Sequence, residues 1–281
     1  MAHKLLKVTQ KLYGVPHLIS QTTFESIAGY LDSRNIGLMN FPEDSPEMVV
    51  EEEAEVIGGI GIIKIQGPTT YRKTGMEALC GGCSYEDLID QAEDLIEDKV
   101  TTIVLDIDSG GGQAYGVFLA AKTIRKLCDD NNVQLIGYVD GICASAAYAL
   151  GCVCDELIAN PYSEVGSIGV LIAMTDKSKY LEKEGLKPVF VFAGENKIPY
   201  EDDGSFKPDF ISDLQSKVDS LYESFVEHVS EYTGLPTEAV KATEAKTYLA
   251  KEALEIGLVN KIMSNTEFID YVVGINRGVN S

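Results

Sequence analysis

Short apolar runs alternate along this chain with segments in which apolar residues recur every three or four positions. The apolar runs predict strands at residues 56–65, 101–107, 133–139, 155–159, 167–173 and 187–192. The periodic segments predict helices near residues 23–33, 84–96, 114–128, 176–184 and 208–232, with a further helix beginning at Ser145 and a closing helix and strand at 250–262. Regular alternation of the two kinds of element is typical of an α/β architecture with buried sheets.

One serine stands in a run of small residues directly after a predicted strand. The stretch GICASAAY at residues 141–148 places Ser145 between a glycine and several alanines, where a strand gives way to a helix. A hydroxyl at such a junction lies beside free backbone N–H groups, which suits a nucleophile. A small residue that fits a tight helix contact is the alternative interpretation.

Three glycines, Gly110, Gly111 and Gly112, follow the buried strand predicted at 101–107. Their backbone N–H groups could face a ligand, either as a phosphate cradle or as an oxyanion hole for a developing negative charge. The dinucleotide and P-loop glycine patterns are both absent, which weakens the phosphate interpretation. A plain turn is the third possibility.

A nucleophilic serine needs a base, and the histidines are poor choices. His3, His17 and His228 are the only three, and none lies in a glycine-rich or strand-end motif. A lysine serves as base when it is held neutral. Lys197 follows the strand predicted at 187–192 and precedes Ile198-Pro199, so it is the candidate base; an ordinary loop lysine is the alternative.

Composition narrows the class of protein. The 281 residues include 44 Asp and Glu against 23 Lys and Arg, a formal charge of −21 without a basic stripe. This balance argues against nucleic acid and against anionic membranes as partners. No apolar run has the length of a membrane span, and the first residues lack the core of a signal peptide, so we expect a cytoplasmic protein.

Four of the six cysteines form two close pairs, Cys80 with Cys83 and Cys152 with Cys154. They could bind zinc together, or the first pair could be redox-active; otherwise Cys152 and Cys154 are small residues of a buried strand.

Residues 41–55 hold seven acidic residues and two prolines. That stretch predicts a boundary between an N-terminal extension with an acidic linker (residues 1–55) and a main domain (residues 56–281).

Taken together, several motifs resemble the signal-peptide-peptidase-A-like serine peptidases, and among them the phage capsid-assembly (head maturation) proteases. The matching stretches are LDIDSGGG at 105–112, GICASAAY at 141–148, VGSIGV at 165–170, AGENK at 193–197 and TYLAKEALEIGLV at 247–259. The resemblance covers about residues 56–263, and the opening stretch KLYGVPHLI at 11–19 also resembles the phage branch.

The resemblance implies a Clp protease/crotonase-like fold of stacked ββα units, here with an N-terminal helical extension. It makes Ser145 the nucleophile, Lys197 the general base and Ser167 the hydroxyl that orients the lysine amine. Backbone N–H groups of Gly112 and Ala146 would form the oxyanion hole, with Gly111 shaping the turn. Where the family commonly has proline at position 110, this chain has glycine, which should make the loop less rigid.

The implied activity is that of a Ser-Lys endopeptidase in the procapsid interior, in the cytoplasm of a bacterial host. Its substrates would be scaffold, portal and capsid proteins and its own chain; it would need no metal or cofactor and would form a homo-oligomer whose neighbouring subunits complete the site. Three alternatives stay open: a host-type signal-peptide-peptidase-like cytoplasmic peptidase, a crotonase-type acyl-CoA enzyme with an acidic base, and a non-catalytic capsid structural protein.

Overall fold

A computed structural model describes residues 14–35, 54–72 and 82–279. The strands are β1 (His17–Ile19), β2 (Glu55–Ile57), β3 (Ile60–Gln66), β4 (Thr69–Thr70), β5 (Cys83–Ser84), β6 (Thr102–Ser109), β7 (Gly111–Gln113), β8 (Gln134–Ala144), β9 (Glu156–Ala159), β10 (Glu164–Gly166), β11 (Thr247–Leu249) and β12 (Lys261–Ile262). The helices are α1 (Gln21–Asn35), α2 (Tyr85–Glu97), α3 (Val117–Asn131), α4 (Ala146–Gly151), α5 (Ser178–Lys183), α6 (Pro208–Thr233), α7 (Thr237–Lys241), α8 (Ala250–Glu255) and α9 (Asn265–Val279), with a 3-10 turn at Glu195–Lys197. The predicted α/β class is confirmed.

The larger sheet centres on the neighbouring parallel strands β6 and β8. Within the described ranges it has eight strands, in the order β11-β10-β8-β6-β3-β2, with β9 and β12 joined beside β8. Strand β8 has two partners on one side, because residues 136–139 pair with β9 and residues 142–144 pair with β10. The second partner strand, β10, therefore lies beside the end of β8 that leads to Ser145.

Helices cover both faces of this sheet, as its continuous apolar strands require. The main core contains α2, α3 and α4 on one face, while Phe268 and Val272 of α9 pack with Tyr138 on the other. The predicted start of α2 is confirmed, since the Ser84 hydroxyl accepts a hydrogen bond from the Asp87 backbone N–H at 3.1 Å.

A smaller sheet, in the order β1-β7-β4-β5, carries the glycine-rich strand that follows β6. Strand β1 runs antiparallel to β7, with Leu18 opposite Gly112, and β4 runs parallel to it. Part of the predicted N-terminal extension is therefore hydrogen-bonded to the main domain. The domain boundary itself stays a prediction, because residues 36–53, which include most of the acidic stretch, lie outside the described residues.

Three strand predictions need correction. Residues 56–65 form a hairpin rather than one strand, because Gly58 and Gly59 turn the chain with φ of +61° and +89°. Residues 167–173 are not a strand, since the strand ends at Gly166 and Ser167 has φ of +53°. Residues 187–192 contain the apolar run Val189 to Phe192, but no described strand pairs with them.

No helix in the described part of the chain combines the length and the hydropathy of a membrane span.

Candidate active site

Ser145 occupies a strained turn between β8 and α4. Its φ of 57° and ψ of −115° lie outside the regions that residues with a side chain ordinarily adopt. Ala144 before it and Ala146 after it are fully buried, so larger side chains would not fit. The strand and helix predicted on either side of Ser145 are thus confirmed, although β8 is longer than predicted.

The backbone holds the turn in place, but the hydroxyl is nearly free of partners. The Ser145 N–H donates to the Gly166 carbonyl at 2.8 Å, and the Ser145 carbonyl accepts from the Ala149 N–H at 3.0 Å. The hydroxyl donates only a long hydrogen bond, of 3.5 Å, to the Gly169 carbonyl. The Ser145 hydroxyl oxygen is thus held in place by the backbone and only weakly hydrogen-bonded, so it can attack a carbonyl group that binds next to it.

The glycine strand β7 lies directly against this turn. A Cβ atom built on Gly111 would lie 2.9 Å from the Ala144 carbonyl oxygen and 2.9 Å from the Ala146 nitrogen. Gly111 also has φ of +94°, so the position is strained for any other residue. The N–H of Ala146 belongs to the first turn of α4, where backbone donors lack intrahelical partners. Gly111 and Ala146 are therefore brought together at the Ser145 turn, and Gly112 is the next residue of β7, opposite Leu18.

Ser167 also lies beside Ser145. Gly166 pairs with Ala144 in the parallel ladder of β10 and β8, so the residues that follow the two strands are neighbours. The Ser167 N–H donates to the Lys246 carbonyl at 2.8 Å, which holds Ser167 in its left-handed conformation. Ser167 is half-buried, and it follows β10 at the point where Ser145 follows the neighbouring strand β8.

Lys197 is the one predicted site residue that the structure does not join to the others. It is exposed and ends the 3-10 turn, with its N–H bonded to the Gly194 carbonyl at 3.0 Å. Within the described residues its amine makes no hydrogen bond or ion pair. The segment that carries it also exposes apolar side chains, with Val189 81% and Val191 97% exposed.

The histidines considered as alternative bases serve other contacts. His228 is buried, and its Nε2 lies 2.9 Å from the Ala149 carbonyl oxygen, with Phe118 and Tyr232 against the ring. Burial lowers the pKa of His228, so the ring is neutral near pH 7. His17 is 2% exposed and lies in β1. His3 lies outside the described residues.

The cysteines that the structure describes resemble core residues. Cys152 is buried, and desolvation raises its thiol pKa well above the ordinary value, which keeps the thiol protonated. The same cause raises the pKa of Cys154. No group of three His, Cys, Asp or Glu suited to a metal ion occurs within residues 14–35, 54–72 and 82–279, and Cys80 lies outside them.

The backbone strain at Ser145 should be measurable as a difference in the free energy of unfolding between two variants of this residue. We expect Ser145→Gly to be more stable than Ser145→Ala by about 1–3 kcal/mol, because glycine adopts this backbone conformation without steric cost. Urea unfolding of the two variants measures the difference. Ser163, a buried serine without a positive φ, is the matched control, and there the glycine variant should be the less stable one. Equal stabilities at position 145 would contradict a strained turn.

Residues 14–20 cover the glycine strand, a position that no sequence pattern predicted. Their hydrogen bonds reach both β7 and the stretch after Ser167: Ser20 N–H donates to the Gly110 carbonyl at 2.7 Å, and His17 N–H donates to the Leu171 carbonyl at 2.9 Å. A short apolar run beginning at a proline was the available signal, but three residues are too few to predict a strand from sequence.

Comparison with known proteins places these residues in a family. The sequence profile of peptidase family S49 matches residues 128–273, which include Ser145, Ser167 and Lys197. Head-tail preconnector protein GP5 of Enterobacteria phage P21 is 28% identical over 215 residues, covering 76% of this chain and 42% of that protein. Capsid assembly protease C of Escherichia phage lambda is 29% identical over 220 residues, covering 76% and 49%. This chain thus spans less than half the length of these curated relatives.

Among solved structures, a ClpP1 mutant from Listeria monocytogenes aligns with a TM-score of 0.46 and 17% identity, covering 73% of this chain and 91% of that chain. The profile match extends over more than half of the sequence and contains the strained serine turn. The chain belongs to peptidase family S49.

Proposed function

We propose that this protein is a serine endopeptidase of phage capsid assembly, with Ser145 as nucleophile and Lys197 as general base. The observation that carries the proposal is the strained turn at Ser145, which lies against the glycine strand and beside Ser167. Membership of family S49 and the similarity to the lambda capsid assembly protease support the same reaction.

The chemistry follows from these groups. The neutral amine of Lys197 takes the proton of the Ser145 hydroxyl as the oxygen attacks a peptide carbonyl. The backbone N–H groups of Gly112 and Ala146 stabilise the oxyanion, and Ser167 orients the amine. The lysine then gives the proton to the leaving amine, which leaves an ester on Ser145. Water, deprotonated by the same lysine, hydrolyses that ester and restores the enzyme.

The proposed substrates are scaffold, portal and capsid proteins and the chain itself, cleaved inside the procapsid in a bacterial host. A fluorophosphonate reagent tests the proposal, because it modifies activated serines irrespective of the natural substrate. We expect one adduct, located on Ser145 by peptide mass spectrometry, together with cleavage of a co-expressed scaffold protein. An unmodified Ser145 in a folded protein would contradict the assignment, and it would favour an acyl-CoA enzyme or a structural protein.

We further propose that the active form is a homo-oligomer in which a neighbouring subunit brings Lys197 to Ser145. The exposed lysine and the unpaired apolar stretch at 187–192 support this arrangement. Helix α6 packs against the chain's own core through Phe225 and the residues near it, whereas residues 208–220 include no buried position.

Val191→Asp should therefore break the oligomer. We expect light scattering to show a smaller particle, and activity to fall by at least about tenfold, because a charge at a buried apolar contact is costly. Ile269→Asp is the control, since Ile269 is exposed on α9 and lies outside the segment. A fully active monomer would refute the proposal.

A further inference from the structure

Residues 14–20, whose central part is strand β1 (His17–Ile19), lie between two backbone edges that flank Ser145. On one side, the Ser20 N–H donates to the Gly110 carbonyl at 2.7 Å and the Ala114 N–H donates to the Pro16 carbonyl at 3.3 Å. On the other side, His17 and Leu171 exchange two hydrogen bonds, of 2.9 and 3.0 Å. The segment thus joins the glycine strand β7 to the stretch that follows Ser167.

The register places the carbonyl group of Leu18 over the proposed oxyanion hole. The pair Leu18 and Gly112 lies between the two hydrogen bonds to β7, so the alternation of an antiparallel ladder directs the Gly112 N–H toward the Leu18 carbonyl. A Cβ atom built on Gly111 would collide with the Leu18 carbonyl oxygen and would lie 2.9 Å from the Ala146 nitrogen, so both atoms are on the same side of Gly111. A peptide carbonyl therefore already faces the Gly112 donor, on the side where the Ala146 donor lies.

The segment also closes the site. Ser145 has no exposed surface, and the Leu18 side chain is fully buried in the main core. Residues 16–20 are all buried, whereas the helix that follows adds only Ile27 as a buried residue within residues 21–29. Opening therefore exposes residues 16–20, and an extended peptide that takes their place restores the same burial and the same backbone hydrogen bonds.

We propose that residues 14–20 are an intramolecular occupant of the peptide-binding groove, and that an extended segment of a substrate protein takes their place when they leave. The proposal rests on the proposed function of Ser145. Proteins commonly bind extended peptides by adding a strand to a free edge, and here two edges converge on the serine. The groove should favour a peptide with a large apolar residue at the position of Leu18. In the closed form the chain inhibits itself.

A reversible lock tests this proposal in the full-length protein. His17 and Gln113 form a pair without mutual hydrogen bonds in the β1–β7 ladder, and their separation should be about 4.5 Å between Cα atoms, which suits a disulfide. The double variant His17→Cys with Gln113→Cys can be compared in its oxidised and reduced forms. The single variants His17→Cys and Gln113→Cys, with and without reductant, control for the native cysteines and for each substitution.

The first measurement is the rate of fluorophosphonate labelling. We expect the oxidised double variant to be labelled at least about tenfold more slowly than the reduced one, because only the open form admits the reagent. Reduction should restore the rate. Equal rates in the two forms would show that the segment is a permanent part of the fold and would overturn the proposal.

The second measurement does not depend on catalysis. In a Ser145→Ala background, fluorescence anisotropy follows a labelled peptide with the sequence of residues 14–20. The reduced form should bind this peptide at least about tenfold more tightly than the oxidised form. Equal binding by the two forms, or no binding by either, would overturn the proposal that residues 14–20 occupy a peptide-binding groove. The two hypotheses can also separate. If the reduced form binds the peptide more tightly but no protein that retains Ser145 is labelled, the peptide-binding groove is supported and Ser145 is rejected as the nucleophile.

Discussion

Replacing Ser145 with alanine should abolish cleavage of a co-expressed scaffold protein and of the chain itself. The expected loss of turnover is about a millionfold, because the attacking oxygen is removed and only binding and the backbone donors persist. The fold should survive, since alanine is smaller than serine and the hydroxyl contributes only one long hydrogen bond. Gel analysis of the coexpressed proteins and circular dichroism of the variant measure the two effects.

Ser163→Ala is the matched control for this experiment. Ser163 is also a buried serine, and its hydroxyl donates to the Val139 carbonyl at 2.7 Å. Losing that bond should reduce the free energy of unfolding by about 1 kcal/mol and leave cleavage intact. Normal cleavage by the Ser145→Ala variant would reject the nucleophile.

Lys197→Arg should be inactive although it keeps the positive charge. A guanidinium group does not deprotonate near neutral pH, so it cannot take the proton of Ser145. We expect a loss of about two to four orders of magnitude in kcat, the usual contribution of a general base. Oligomeric state should be unchanged, because arginine keeps the positive charge and the substitution leaves the exposed Val189 and Val191 of the proposed subunit contact in place.

Lys207→Arg provides the comparison for the lysine variant. Lys207 belongs to the same segment, with its amine 3.4 Å from the Glu195 carbonyl oxygen and 5.4 Å from the centre of the Phe192 ring. Arginine can keep both contacts, so activity should persist. If both variants kept normal turnover, Lys197 would not be the base, and the search would move to His17 and His228.

The sequence was most informative where apolar patterning, small residues and capping act locally. Continuous apolar runs predicted β6 and β8, and the alanines around Ser145 predicted the strand-to-helix turn that the structure contains. The helical spacing of apolar residues after position 84 predicted α2, whose first turn the Ser84 hydroxyl caps. These signals succeed because neighbouring residues determine them.

Pairing over long distances was not predictable in the same way. Residues 187–192 contain an apolar run typical of a strand, yet strand formation needs a partner edge, which the pattern of one segment does not specify. The opposite failure is β1, which is too short to have a pattern and exists because two edges lie beside it. Lys197 shares this difficulty, since its position relative to Ser145 depends on how its segment docks.

Strand β10 has a consequence for the time at which the site can form during synthesis. Gly166 is held between Ala144 and Thr247, and the Ser167 N–H depends on the Lys246 carbonyl. Because translation delivers Lys246 long after Ser145 and Ser167, the ribosome must synthesise the chain as far as Thr247 before this geometry exists. A nascent chain that ends before Thr247 therefore carries Ser145 in an unassembled turn, and the proposed cleavage cannot begin at that stage.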